Sequence, residues 1–140
     1  MKNKKQSLEK LHQAAVQTRN HAYSPYSNYK IGAALYIEGT KNIFTGCNVE
    51  NASYGGTICA ERTAVFNAVS KHGKIKISDI CVVSDSKNPW PPCGFCRQVI
   101  AEFATAKTQI HIADLKGIKK TFTLNDLLPE AFSPANLTKL

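Results

Sequence analysis

The sequence predicts an α/β fold, a sandwich of helices layered around one mixed sheet, and three observations predict it. Stretches with the 3.6-residue apolar period of an amphipathic helix alternate with short stretches rich in β-branched residues. The strand-like stretches fall at 31–37, 42–47, 75–84, 109–113 and 120–124. No repeat or low-complexity linker divides the chain, and 140 residues suit one core rather than two, so one continuous domain is expected over 1–140.

Each element carries its own signals. Ser7 is placed to cap a first helix with Leu8, Leu11, Ala15, Thr18 and Ala22 on one face, ending before Ser24 and Pro25. Tyr26, Ser27 and Asn28 read as a turn. The strands at 31–37 and 42–47 are joined by Glu38, Gly39 and Thr40. A break at Gly55 and Gly56 precedes a second helix at 57–71, with Gly73 as its C-terminal stop. The strand at 75–84 leads through a loop at 85–92 into a third helix at 93–104. Two more strands follow, and a short C-terminal helix begins near Asn125.

Composition narrows the function classes. Hydrophobic content of 43% and charged content of 20% are those of a globular protein, which argues against a disordered or fibrous chain. No apolar run approaches the roughly 20 residues of a membrane-spanning helix. The basic start is followed by polar residues rather than an apolar signal core, so a cytoplasmic location and no membrane partner are expected. The net charge of +8 raises nucleic acid as a partner, but the lysines gather in the first ten residues and at Lys119 and Lys120 without forming a long basic helix face. A solvated basic surface with no nucleic-acid partner is the expectation.

The five cysteines, at 47, 59, 81, 93 and 96, are an odd number that suits metal or thiol chemistry better than a disulfide scaffold. Cys93 and Cys96 are three apart at a helix start, and Cys59 stands at another. Helix starts carry partial positive charge and free N–H groups, which favour the metal-binding thiolate. Three sulfurs on tetrahedral zinc leave one position open, the design of a catalytic site, and soft ligands favour zinc over magnesium or calcium. A fourth sulfur from Cys47 or Cys81 would close the site and make it structural, although Cys81 reads as a small apolar residue inside a strand. Glu61, two residues after Cys59, decides the balance: a helix glutamate is ordinarily a solvated residue, but beside three thiolates it can exchange a proton with metal-activated water.

A ligand, one residue, Glu, and then Pro-Cys-x-x-Cys is the signature of zinc deaminases acting on nucleobases. Beyond it, the chain resembles the small homotetrameric cytidine deaminases over nearly its whole length. The matching blocks are 26–34 (YSNYKIGAA), 46–52 (GCNVENA), 59–64 (CAERTA), 92–98 (PCGFCRQ) and 127–132 (LLPEAF). The resemblance implies a three-layer α-β-α sandwich around a five-stranded mixed sheet, a zinc cofactor on Cys59, Cys93 and Cys96, and hydrolytic deamination of free cytidine and deoxycytidine in pyrimidine salvage. Glu61 would carry a proton to N3 of the base and then to the departing ammonia. Arg62 would hydrogen-bond the ligand sulfurs and offset their charge. Asn48 and Glu50 would hold the ribose 3′-hydroxyl, with Glu50 repelling a 3′-phosphate, and Ala60 would also contact the nucleoside. Tyr29 replaces the usual Phe against the base, adding a hydroxyl that needs a partner. Tyr54 and Phe132 would reach a neighbouring subunit's site in a homotetramer.

Three competing readings stay open on the sequence. A polynucleotide deaminase would need a basic and aromatic strand channel, against which Glu50 stands. An aminonucleoside-antibiotic deaminase shares the zinc motifs but fits the 48–51 block (NVEN) poorly. A non-catalytic zinc module requires a closed four-ligand site.

Overall fold

The structure, a computed structural model, describes residues 2–138. Positions 1, 139 and 140 of the expected domain lie outside the described residues. The elements run α1 (Lys2–Arg19), β1 (Ile31–Ile37), β2 (Ile43–Cys47), α2 (Ala60–His72), β3 (Ile77–Ser84), α3 (Gly94–Phe103), β4 (Ala104–Asp114), β5 (Gly117–Thr123) and α4 (Leu124–Leu127). Short 3-10 turns occupy Tyr54–Gly56 and Pro134–Leu137. The five strands form one sheet in the order β2-β1-β3-β4-β5, parallel only between β3 and β4. The helices lie on both faces, so the three-layer mixed-sheet expectation holds.

Strand alternation separates two cores. Ala33, Leu35 and Ile37 of β1, Phe44 of β2 and Ile80 of β3 meet Ala64, Val65 and Ala68 of α2 and Ile100 of α3. Their neighbours Ala34, Cys81 and Val83 face the other way, onto Leu11 and Ala15 of α1. Burying each Leu, Ile or Val contributes about 1.5–3 kcal/mol. Buried His111, on the α1 side of β4, is satisfied by Asp79 at 3.0 Å and Thr121 at 2.8 Å.

The sheet order places the helix starts. β1 is antiparallel to both β2 and β3, so β2 and β3 run the same way. The chain leaves the carboxyl end of β2 toward α2 and the carboxyl end of β3 toward α3. Both helices therefore begin at the same end of the sheet, where α/β sheets bind ligands.

Several boundaries differ from the sequence expectation for physical reasons. Ser7 is not the cap of α1: good helix formers before it extend the helix back to Lys2, and Ser7 Oγ donates to Asn3 O at 3.0 Å. The helix ends at Arg19, where the amides of Asn20, His21 and Ala22 bond to carbonyls three residues back in tightened turns. α2 begins at Ala60 rather than 57 because Ile58 is held extended by paired backbone bonds to Val49, both 3.0 Å. β4 starts at Ala104, expected in α3, because Ala104 pairs with Ile77 of β3. β5 starts at Gly117 because the Asp114 carboxylate accepts the amides of Lys116 and Gly117 at 2.8 and 3.0 Å, closing the turn early. Leu124 leaves the strand for α4, which Thr123 and Asp126 open as a capping box.

Two glycines let helices touch the sheet. A Cβ on Gly32 would lie 2.0 Å from Ala15 O, and one on Gly46 would lie 2.3 Å from Ala64 N. Gly32→Ala must push α1 off β1, so it is expected to lower stability by about 1–3 kcal/mol, read from the urea midpoint. Gly55→Ala, with nothing within 4 Å of the new methyl, should leave the midpoint nearly unchanged; equal effects at both positions would refute the packing account.

Candidate active site

Cys59 is the residue before the first turn of α2, and Cys93 occupies the same position before α3. Each has extended backbone angles and stands beside the unpaired amides of its helix start, which favour negative charge. Cys96 sits one turn into α3 and is fully buried. The three sulfurs lie within 4.8 Å of one another, and those of Cys59 and Cys93 are 3.7 Å apart. A tetrahedral zinc with bonds of about 2.3 Å needs sulfurs about 3.8 Å apart, so the donors fit the ion in type and spacing. Cys47 and Cys81 do not join them. Cys81 belongs to the α1-side core, and Cys47 alternates with Gly46, whose Cα faces α2. Among the described residues the cluster offers three donors, Cys59, Cys93 and Cys96.

The sulfurs differ in acidity. Cys59 is lowered to about 5, first by a hydrogen bond from Cys96 and then by Arg62 and Cys93. Cys96 is pushed up by that same hydrogen bond and by burial. Arg62, in the first turn of α2, places Nη2 3.6 Å from Cys59 Sγ and 3.5 Å from Thr57 O. Its guanidinium lies over the Phe95 ring, 5.5 Å from the centroid. Arg62 thus sets a guanidinium beside the Cys59 sulfur.

Glu61 is 4% exposed and lines a cavity of about 280 Å³ together with Cys59, Ala60 and Cys93. Burial pushes its carboxyl up to about 7, and the charge on Cys59 adds to the rise. The opposite side of the cavity comes from the loop before β1 and the segment after β2, and holds Tyr29, Asn48 and Glu50. Glu50 accepts from the amides of Tyr26 at 2.9 Å and Ser27 at 3.1 Å and from the Ser27 hydroxyl. These bonds, the Ser27 hydroxyl foremost, hold its carboxyl below the usual range. Asn48 donates to Tyr29 O at 2.7 Å and accepts from Ile31 N at 2.8 Å. Both side chains therefore also build the turn, the ordinary role open to such residues, and each keeps hydrogen-bonding capacity toward the cavity.

Tyr54 and Phe132 are not brought into this cavity. Tyr54 is 72% exposed and packs edge-on to Tyr26, with ring centroids 5.2 Å apart. Phe132 is 57% exposed, and its carbonyl accepts from Gln98 at 2.9 Å. The sequence reading missed Ser27, which steadies Glu50, and Trp90, whose ring meets Tyr29 edge-on at 4.8 Å and lines the cavity. It also missed Arg97, which ties Pro92 O to Leu127 O with two 2.7 Å bonds. Trp90 had one visible signal, a lone tryptophan three residues before Cys93; Ser27 and Arg97 had none beyond their blocks.

A mixed sheet with three sulfurs at two helix starts and a buried carboxyl beside them defines a zinc-dependent hydrolytic enzyme. Comparison with known proteins gives the family. The sequence profile described as "Cytidine and deoxycytidylate deaminase zinc-binding region" matches residues 5–112. A cytidine deaminase of Halalkalibacterium halodurans is 46% identical over 88% of this chain and 92% of its own length. One from Sporosarcina psychrophila is also 46% identical, over 94% and 95%. The crystal structure of cytidine deaminase from Burkholderia pseudomallei superposes with a TM-score of 0.82 at 42% identity, covering 89% of this chain and 98% of that one. The chain belongs to the cytidine and deoxycytidylate deaminase family, and its cofactor is zinc.

Removing one sulfur should remove the ion and the folding free energy linked to it. Cys93→Ala is expected to fall from about one zinc per chain to almost none by elemental analysis, with a lower melting temperature. Cys47→Ala and Cys81→Ala should each keep the zinc; loss of metal from either would contradict the three-sulfur site.

Proposed function

We propose that the chain hydrolyses free cytidine and 2′-deoxycytidine to uridine and 2′-deoxyuridine with release of ammonia. The observation that carries this reading is a buried Glu61, its carboxyl raised by burial, lining one cavity with Cys59, Cys93, Asn48 and Glu50. Cys59, Cys93 and Cys96 would hold the zinc, which when bound would supply the Lewis acidity that activates water near neutral pH. Glu61 would accept a proton from the attacking water and deliver it to N3 of cytosine, which makes C4 electrophilic. It would then accept the proton of the new C4 hydroxyl and pass it to the departing amine, so that ammonia leaves and C4 becomes a carbonyl. Arg62 offsets the sulfur charge that would otherwise weaken the ion as a Lewis acid. Asn48 and Glu50 hold the ribose, Ala60 meets the nucleoside beside Glu61, and Tyr29 packs on the base.

The cavity suits one nucleoside rather than a strand, and a carboxylate at the sugar disfavours a 3′-phosphate. We take 1–140 as one catalytic unit acting in pyrimidine salvage in the cytoplasm. Exposed Tyr54, Phe95 and Phe132 support a homotetramer in which Tyr54 and Phe132 reach a neighbour's site. Light scattering at micromolar concentration tests the assembly, and a monomer that is fully active refutes it.

Loss of cytosine absorbance on adding cytidine tests the reaction. Cytidine and deoxycytidine are expected to react, and cytidine 3′-monophosphate and single-stranded oligonucleotides to react poorly. Glu50→Gln should lower kcat/KM about tenfold or more by weakening a charged hydrogen bond. An oligonucleotide deaminated as fast as cytidine would overturn the nucleoside reading.

Glu61→Gln is expected to keep its zinc and fold while activity falls by about 10²–10⁴ or more. If this variant keeps more than about a tenth of the parent rate, Glu61 is not the proton carrier.

A further inference from the structure

Trp90 is the only tryptophan of the chain and stands in the loop that leads to Cys93. Its backbone N–H donates to Ser84 Oγ at 3.2 Å, which pins the loop to the end of β3. Its ring meets Tyr29 edge-on, with centroids 4.8 Å apart and planes at 69°. The pair has space on both sides. On one side is the cavity of about 280 Å³ that holds Glu61 and the cysteines. On the other is a cleft of about 220 Å³. Tyr29, Ile31, Ser84 and Trp90 line both spaces, so they form the partition between them.

The two spaces differ in charge. The side cleft carries Arg19 and Lys30 as cations, with Asp85 3.9 Å from Arg19 as its one carboxylate. The partition also adjoins the end of the cavity assigned above to the sugar, because Asn48 bridges the backbones of Tyr29 and Ile31. An anionic group on the sugar would meet aromatic rings in the cavity while cations that suit it lie beyond the wall.

We propose that Trp90 is a specificity-determining residue: with Tyr29 it walls the nucleoside cavity off from the cationic side cleft and so restricts the site to unphosphorylated nucleosides. This rests on the nucleoside reading above. The indole excludes by shape what the cleft would attract by charge, beside the repulsion of a 3′-phosphate that falls to Glu50.

Two measurements on the zinc-loaded protein test it. The first compares kcat/KM for cytidine and cytidine 5′-monophosphate in the parent, Trp90→Ala and Trp90→Phe. Trp90→Ala is expected to shift the ratio toward the 5′-monophosphate at least tenfold, chiefly through KM. Trp90→Phe, which keeps a ring against Tyr29, should stay near the parent. An unchanged ratio in an active, folded Trp90→Ala protein overturns the proposal.

The second needs no change at position 90 and so survives a variant that fails to fold. Cytidine titrated into Glu61→Gln should alter the emission of Trp90 saturably, with the same midpoint as calorimetry, while ribose 5-phosphate alone should not. Calorimetric binding without any change in emission overturns the proposal. Failure of the parent to deaminate cytidine would instead remove the nucleoside reading, so the two failures are distinguishable.

Discussion

Cys59 and Cys93 each stand just before a helix, and both helices start where β2 and β3, which run the same way, come to an end. That convergence is the constraint on which the rest of the structure depends. Three sulfurs within 4.8 Å of one another make a poor apolar core, because any thiolate among them must be paired when buried. The helix starts, Arg62 and a divalent cation all oppose that charge. The helices are in turn held by close packing: Gly46 brings the backbone of α2 against β2, where a methyl group would already collide. A small displacement of α2 would move Cys59 and Glu61 together, so sheet packing and metal geometry are one problem.

The facing wall is made differently. No regular element carries Glu50 or Asn48, and their side chains supply the hydrogen bonds that a strand or helix would otherwise give to the chain around 26–31. This solution loads two roles onto the same polar groups. A carboxylate already held by Ser27 and two amides is fixed in place before any hydroxyl arrives, which is preorganisation in the energetic sense. The two glutamates illustrate how surroundings divide one chemistry: burial raises Glu61, and donated hydrogen bonds lower Glu50.

The other face of the sheet carries stability rather than chemistry. There α1 buries Leu11 and Ala15 against Ala34, Cys81 and Val83. Cys81, a sulfur outside the cluster, is an apolar residue in this core, and burial raises its thiol to about 12. Lys4, Lys10 and Lys41 line a cleft on this side, so part of the +8 charge lies across the sheet from the sulfurs.

The sequence by itself determined the layered α/β class and the number of strands, because both are written in local periodicity. Cys93 and Cys96 are paired by a spacing of one helical turn, whereas Cys59 and Glu61, more than thirty residues away, were singled out through the zinc-deaminase signature. Its errors were at boundaries, where side-chain bonds from distant residues moved an end, as the carboxylate of Asp114 did for β5 and Val49 did for α2. Only the tertiary structure decided that Cys47 and Cys81 face away from the cluster, that Ser27 holds Glu50, that Arg97 ties the C-terminal segment to the start of α3, and that Trp90 stands against Tyr29. Which face a strand residue takes, and which loop it meets, depends on sheet order and on contacts between residues far apart in the chain. Neither leaves a period in the sequence.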